Sequence, residues 1–150
     1  MSDVSNHNNS ESWFYSDIVK DHFFNPRNLM CEEVDENQFD ASGSYGSPAC
    51  GDEMKVWIKI DPKTERIKEF KWRTFGCASA IASTSVASEM VLKDKGMTLD
   101  QALELKPQDI IEQLGGLPPR KIHCSVLADK ALKIAINQYF KNTNQKNRGR

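Results

Sequence analysis

Three cysteines of this chain lie in short motifs with reactive or conformationally permissive neighbours. They are Ala49-Cys50-Gly51-Asp52, Phe75-Gly76-Cys77-Ala78 and Lys121-Ile122-His123-Cys124. Thiolates, a carboxylate and an imidazole form a donor set that suits zinc or an iron–sulfur cluster. A cysteine standing alone is more often a small buried apolar residue than a ligand. Here all three fall at junctions between loops and regular elements, two of them beside Asp or His, which reads as one shared site. The spacings lack the C-x-x-C knuckle of structural zinc modules, so the pattern by itself leaves the metal open. Cys31, in an acidic connection, reads as a bystander, and His7 and His22 as surface or internally satisfied residues.

The elements that must carry these ligands follow from periodicity. Trp13–Phe24 places Phe14, Ile18 and His22 on one helical stripe with Tyr15, Val19 and Phe23 beside it, and Asn25-Pro26 stops that helix. The acidic run Glu32–Glu36 reads as a solvated connection, and Ala41–Ser47 as a short first strand. Met54, Val56, Ile58 and Ile60 alternate with Lys55, Trp57 and Lys59, a strand with one buried face. Asp61-Pro62-Lys63-Thr64 is a turn, and Arg66–Phe75 returns as the second arm of a hairpin. Trp57, Phe70 and Trp72 read as sheet-packing residues.

Cys77 then opens a helix of small residues whose C-cap is expected at Gly96. Its position at a helix N-terminus favours the thiolate. Thr98-Leu99-Asp100-Gln101 spells a capping box, Pro107 begins another helix ended by Gly115-Gly116, and Cys124–Phe140 repeats Leu127, Ala131, Ile134 and Ala135 at helical spacing. The order implies an α+β fold: a small antiparallel three-stranded sheet with helices on one face, an N-terminal helix first and a helical C-terminal half.

The totals set bounds. The 150 residues are 39% hydrophobic and 27% charged with a net charge of −1, the profile of one soluble domain with no reason to bind nucleic acid. No apolar run is long enough for a membrane span. Residues 1–10 are expected to be disordered, 11–140 to form the domain, and 141–150 to be a basic flexible tail. The first residues hold neither a signal-peptide core nor an arginine, so four cysteines point to thiols in a reducing compartment, the cytoplasm.

Several long stretches resemble the IscU family, which also occurs as the N-terminal domain of NifU. They are Tyr15-Ser16 through Asn25-Pro26-Arg27-Asn28, Ser47-Pro48-Ala49-Cys50-Gly51-Asp52, Thr74 through Ser83, and Leu117-Pro118-Pro119-Arg120-Lys121-Ile122-His123-Cys124-Ser125. The resemblance implies a non-enzymatic scaffold on which iron–sulfur clusters are built and handed on. It implies that Cys50, Cys77 and Cys124 hold a nascent [2Fe–2S] cluster with Asp52 or His123 as fourth ligand, and that zinc occupies the same group in the cluster-free form. Cys124 resembles the thiol that accepts persulfide sulfur, Lys121 the basic residue that supports it, and Tyr15 a tyrosine tied to dimer formation. Asp52 would be the labile ligand. Implied partners are a cysteine desulfurase, an iron donor or frataxin-like protein, a ferredoxin, apo-protein acceptors and a second copy of the chain.

Two departures stand out. Leu29-Met30-Cys31 follows Asn28 where many members have a glycine, and Arg120 stands where members served by Hsp70 and J-type chaperones have valine, which leaves that partnership open. The main rival is the zinc-dependent sulfurtransferase role of the related SufU proteins, with Cys124 as sulfur carrier. His123 and the Leu-Pro-Pro segment favour the scaffold. A hydrolase using Cys124 with His123 is disfavoured because adjacent residues rarely supply nucleophile and base together. A purely structural zinc module would need the metal to fold, and the core is large enough without it.

Overall fold

The computed structural model describes residues 16–47, 52–117, 122 and 124–144, with Ser47, Asp52 and Cys124 described by backbone alone. Helix α1 (Asp17–Phe24) is followed by a 3-10 turn (Glu36–Gln38), then β1 (Ala41–Ser47), β2 (Asp52–Ile60) and β3 (Ile67–Phe75). Helices α2 (Ala78–Leu92), α3 (Leu99–Leu103), α4 (Pro107–Gln113) and α5 (Cys124–Asn142) complete the chain. The strands form an antiparallel meander in the order β1-β2-β3. α2 packs on β3 and α5 on β1 and β2, while α1, α3 and α4 lie against those two helices. This is the α+β arrangement that the sequence pattern implies.

One face of the sheet makes the core. Met54, Val56, Ile58, Phe70 and Trp72 are fully buried there in strict alternation, and a register shift at Lys59/Ile60 brings Ile67 onto the same face. α2 is so rich in Ala and Ser that it is buried nearly all round, which suits a helix between a sheet and two other helices. Its hydroxyls turn inward on the chain itself: Thr84 Oγ1 donates to the Ala80 carbonyl at 2.8 Å and Ser88 Oγ to the Ser85 carbonyl at 2.6 Å.

α5 comes closest to the sheet at Gly43. A methyl carbon added there would lie 2.3 Å from the Ala131 carbonyl oxygen and 2.6 Å from the Ala135 nitrogen. Both are helix backbone atoms, so only a residue without a side chain permits this approach. Gln138 Oε1 accepts the Ser42 N–H at 2.9 Å and fixes the same crossing from the side.

Several expectations need correction. The first helix begins at Asp17, not Trp13, because Ser16 is extended and its hydroxyl accepts the Val19 N–H at 3.1 Å as an N-cap. Trp13, Phe14 and Tyr15 lie outside the described residues. Within α1, Val19 and His22 are buried but Ile18 is exposed, since the helix leans on α2 along only one stripe. α2 ends at Leu92 with Lys93 as its C-cap; Gly96, at φ +87°, closes the turn that follows. Ile134 is 40% exposed, because it flanks Gly43 at the rim of the helix–sheet contact.

The acidic run is not merely solvated. Glu36 Oε1 accepts from Lys55 Nζ at 2.8 Å and from Trp57 Nε1 at 3.3 Å, and the Glu32 carbonyl accepts from Arg73 Nη2 at 2.7 Å. These bonds lay the connection against the second face of the sheet. Trp57 is thereby covered on that face, with Lys55 and Arg73 over its ring. Lys55 and Trp57 together hold the Glu36 carboxyl below its ordinary range. α5 continues to Asn142, two residues into the stretch expected as a tail, and residues 145–150 of that stretch lie outside the described residues.

Gly43→Ala is expected to destabilise the fold by about 1–3 kcal/mol through overpacking. Urea denaturation checks this; an unchanged midpoint would show that α5 does not rest on β1.

Candidate functional site

The candidate ligands lie at the ends of elements, and the described backbone shows which ends meet. Asp52 opens β2 and pairs with Ser47, the last residue of β1. The next pair, Glu53 with Phe75, puts the exit of β3 at the same end of the sheet, and Gly76-Cys77 continues from it. α5 runs antiparallel to β1, since Ser42 meets Gln138 while Gly43 meets Ala131 and Ala135. Following α5 back to Cys124 covers about 11–16 Å at a helical rise, against about 13 Å from Gly43 to Ser47 along the strand. The starts of β2, α2 and α5 therefore lie at one end of the sheet.

Cys77 is the N-cap of α2, extended at φ −79° and ψ 174°, half-buried, and makes no side-chain capping bond. Its carbonyl accepts the Ile81 N–H at 3.1 Å. Asp52 and Cys124 are placed by backbone only. Cys50, Lys121, His123 and Tyr15 lie outside the described residues. Among the described residues no group of three His, Cys, Asp or Glu side chains is close enough to hold a metal ion; most of the candidate set is not among them.

The helix termini differ in a way that bears on chemistry. α1, α3 and α4 each carry an aspartate in the first turn, Asp17, Asp100 and Asp109. α2 and α5 carry none. The two helices that begin at the candidate site thus present positive dipole ends that no acidic first-turn side chain of their own offsets, and each begins with a cysteine. Such an end lowers a thiol pKa and favours bound anions.

Other polar groups have clear structural roles. His22 is buried with Nδ1 2.7 Å from Ser85 Oγ and Nε2 3.3 Å from Glu89 Oε1. Burial, then Arg27, pushes its pKa down against the pull of Glu89 and Asp21. The reading of His22 as internally satisfied holds, although it is core and not surface. Cys31 is exposed, its Sγ 3.6 Å from the Leu29 carbonyl. A cavity of about 780 Å³ between α1 and the C-terminal half of α2, lined by Ile18, His22, Glu89 and Met90 among others, holds none of the candidate ligands.

Two residues escaped the sequence reading. Phe75 is 75% exposed beside Cys77, although its outward position was implicit in the β3 alternation. Asp129 is 3% exposed on α5, four and three residues from buried Ser125 and Leu132, a spacing that marks the core stripe. Burial raises its pKa, partly offset by Lys133, whose Nζ lies 3.2 Å from either carboxylate oxygen. The approach to Oδ1 is not aligned as a hydrogen bond, so that oxygen has no hydrogen-bond partner among the described residues.

The fold is a small α+β arrangement, an antiparallel meander with the heads of α2 and α5, at Cys77 and Cys124, at one end of the sheet. Residues 14–146 match the family model described as the NifU-like N terminal domain, and the chain belongs to that family. It is 48% identical over 127 residues to the iron-sulfur cluster assembly scaffold protein IscU 1 of Archaeoglobus fulgidus, covering 85% of this chain and 77% of that protein. It is 47% identical over 129 residues to the iron-sulfur cluster assembly scaffold protein IscU of Aquifex aeolicus, covering 86% and 78%. A crystal structure described as that of a hypothetical protein superposes with a TM-score of 0.61 at 26% identity, covering 80% of this chain and 94% of that one. The family expected from the motifs is thus the family found. Among the described residues no helix is long and apolar enough to cross a membrane.

Because its folded pKa is raised, Asp129 contributes stability that is present below the unfolded aspartate pKa and lost as pH rises through the folded value. Asp129→Asn is expected to be more stable than wild type at neutral pH, the difference vanishing in acid. Thermal melts across that range check it; a neutral-pH loss would mean that the Lys133 pair outweighs desolvation.

Proposed function

We propose that this chain is a scaffold, not an enzyme, on which an iron–sulfur cluster is assembled and then passed to apo-proteins. The observation that carries the reading is 47–48% identity, over most of the chain, to proteins named as IscU assembly scaffolds. The meeting of three ligand-bearing element ends at one end of the sheet supports it. The working unit is the domain of residues 11–140, in a reducing compartment such as the cytoplasm.

In this reading Cys50, Cys77 and Cys124 ligate a [2Fe–2S] cluster as cargo, with Asp52 or His123 completing the set and zinc taking the same donors when no cluster is present. Cys124 receives sulfur from a cysteine desulfurase: its thiolate attacks the outer sulfur of the donor's persulfide, the S–S bond breaks, and the donor leaves as thiolate. Lys121 supports the thiolate electrostatically. Turning that sulfane sulfur into sulfide takes two electrons, which a ferredoxin-type donor supplies, and iron comes from a frataxin-like or other iron donor. Three thiolates with one harder ligand grip the cargo less firmly than four thiolates, which suits release. Tyr15 belongs to the same reading as a residue of cluster-dependent dimer formation.

Anaerobic reconstitution with a cysteine desulfurase, L-cysteine and ferrous iron tests this. Wild type is expected to give a [2Fe–2S] visible and Mössbauer spectrum and to convert apo-ferredoxin. Cys50→Ala, Cys77→Ala and Cys124→Ala are each expected to lose the spectrum. A colourless protein that retains stoichiometric zinc and only stimulates the desulfurase would instead assign zinc-dependent sulfur transfer through Cys124. Asp52→Ala is expected to keep the cluster and slow its transfer severalfold; unchanged or faster release would remove Asp52 from the role of labile ligand.

A further inference from the structure

The end of the sheet opposite the candidate ligands carries a surface of different chemistry. α2 runs away from Cys77, so its last turn, from Met90 to Lys93, lies about 20–24 Å from that cysteine at a helical rise. There Gly96 and Met97 fold back against Ile67, the first residue of β3. Two cavities open at this end. The one of about 780 Å³ against α1 and a second of about 570 Å³, bounded by Arg66 and Gln101, share Met90 and Lys93 in their walls. Together they form one groove across the C-terminal turn of α2.

The floor of the groove is apolar. Met90, Leu92 and Met97 pack on the core yet stay half-exposed, and Ile18 is 44% exposed at the α1 end. Methionine suits a surface that must adapt to what lies on it. The rim is cationic. Arg66, Lys93 and Lys95 line the second cavity, and none of them has an ion pair among the described residues. Against them stands Asp94, the one carboxylate among the described residues lining that cavity. Glu89, in the first cavity, is already shared by His22 and Arg27 at 3.3 and 3.7 Å. A chain of net charge −1 thus gathers positive charge around exposed methionines.

The backbone groups here are already paired. Ile67 N–H donates to the Met97 carbonyl at 2.8 Å, Leu99 N–H to the Glu65 carbonyl at 3.0 Å and Met97 N–H to the Val91 carbonyl at 2.7 Å. Arg66 Nη1 donates to the Gly96 carbonyl at 2.7 Å. A strand finds no open edge to join. The occupant must bring a backbone whose own hydrogen bonds are closed, as a helix does.

We propose that this groove docks an acidic amphipathic helix of a partner protein. Its apolar stripe lies on Met90 and Met97, and its carboxylates face Arg66, Lys93 and Lys95. The cationic rim sets the sign of the partner and its rate of approach, while the methionine floor supplies the contact area. Because groove and thiols stand at opposite ends of α2, the partner leaves the candidate ligands uncovered. The docking stands on this surface alone, independent of what the thiols bind.

The probe is a stapled helical peptide with leucines at i, i+3, i+4 and i+7 and glutamates elsewhere, titrated into the metal-free protein under reducing conditions. Its Kd is read by fluorescence anisotropy and its position by amide NMR shifts. A Kd of roughly 10–100 µM is expected, weakening as salt is raised, with shifts at Met90, Lys93 and Met97 and none at Asp52 or Cys77. A lysine-for-glutamate peptide and a scrambled acidic peptide are each expected to bind at least about tenfold more weakly. The double variant Lys93→Glu, Lys95→Glu is expected to lose the acidic peptide by a similar factor while keeping the wild-type melt by circular dichroism. No binding up to about 1 mM, equal binding of the control peptides, shifts elsewhere, or indifference to the charge reversal would each overturn the proposal. So would anionic phosphatidylglycerol vesicles that bind in a Lys93- and Lys95-dependent way where the peptide does not, a result that assigns the groove to a membrane surface. None of these readings uses the thiol end, so their failure leaves the scaffold function standing, and the failure of cluster assembly leaves the docking standing.

Discussion

The contact of α5 with Gly43 is the constraint on which the rest depends. A helix can cross a strand this closely only where the strand has no side chain, and the contact is made by helix backbone on both the Ala131 and Ala135 sides. Once the crossing point is set, the antiparallel run of α5 along β1 brings its first residue back to where β1 ends and β2 begins. Gln138 adds a second point of attachment, so the helix is held in both rotation and translation. A fixed crossing also explains why α2 must be built from alanine and serine. It lies between β3, α1 and α5, and bulkier residues would separate the parts that Gly43 draws together.

The polar interior follows from that crowding. Ser85 Oγ faces both the His22 ring and the Arg27 N–H, at 2.7 and 2.8 Å, and the Arg27 carbonyl in turn accepts from Trp72 Nε1 at 2.8 Å. Asn28 Nδ2 donates to Ser88 Oγ at 2.9 Å. Through these bonds the segment after α1 is tied to α2 and to the far edge of the sheet together. The buried hydroxyls of Ser85 and Ser88 are thus not idle; they anchor a loop whose own backbone needs partners.

Much of this was legible in the sequence. Period-two alternation located β2 and β3, the capping box at Thr98 and the proline at Pro107 marked α3 and α4, and Cys77 fell at the head of α2 as expected. What stayed hidden depends on which neighbour arrives from far away. The exposure of Ile134 follows from where the helix meets Gly43, a fact that α5's own periodicity does not contain. Trp57 sits on the face that alternation marks as open and is covered because Glu36 reaches back to it and Lys55 and Arg73 lie over its ring. Ser16 had the identity of an N-cap, but the aromatic residues before it extended the apparent helix backward. For the candidate site, motifs named the candidate ligands, and strand register with helix direction explains why the ends of β1 and β3 and the heads of α2 and α5 share one end of the sheet. The missing aspartates at the heads of α2 and α5 were visible as letters, yet carry meaning only once those two helices are known to start together.

The crossing at Gly43 also sets a clock on biosynthesis. Ser42 and Gln138 are 96 residues apart, so the helix that covers β1 is made about 5–20 s after the strand at roughly 5–20 residues per second. During that interval the meander and α2 can assemble from neighbouring segments, while the inner face of β1 waits uncovered. The last of the three element ends arrives only with Cys124. The three element ends that meet at that end of the sheet are thus complete only once the head of α5 has been made.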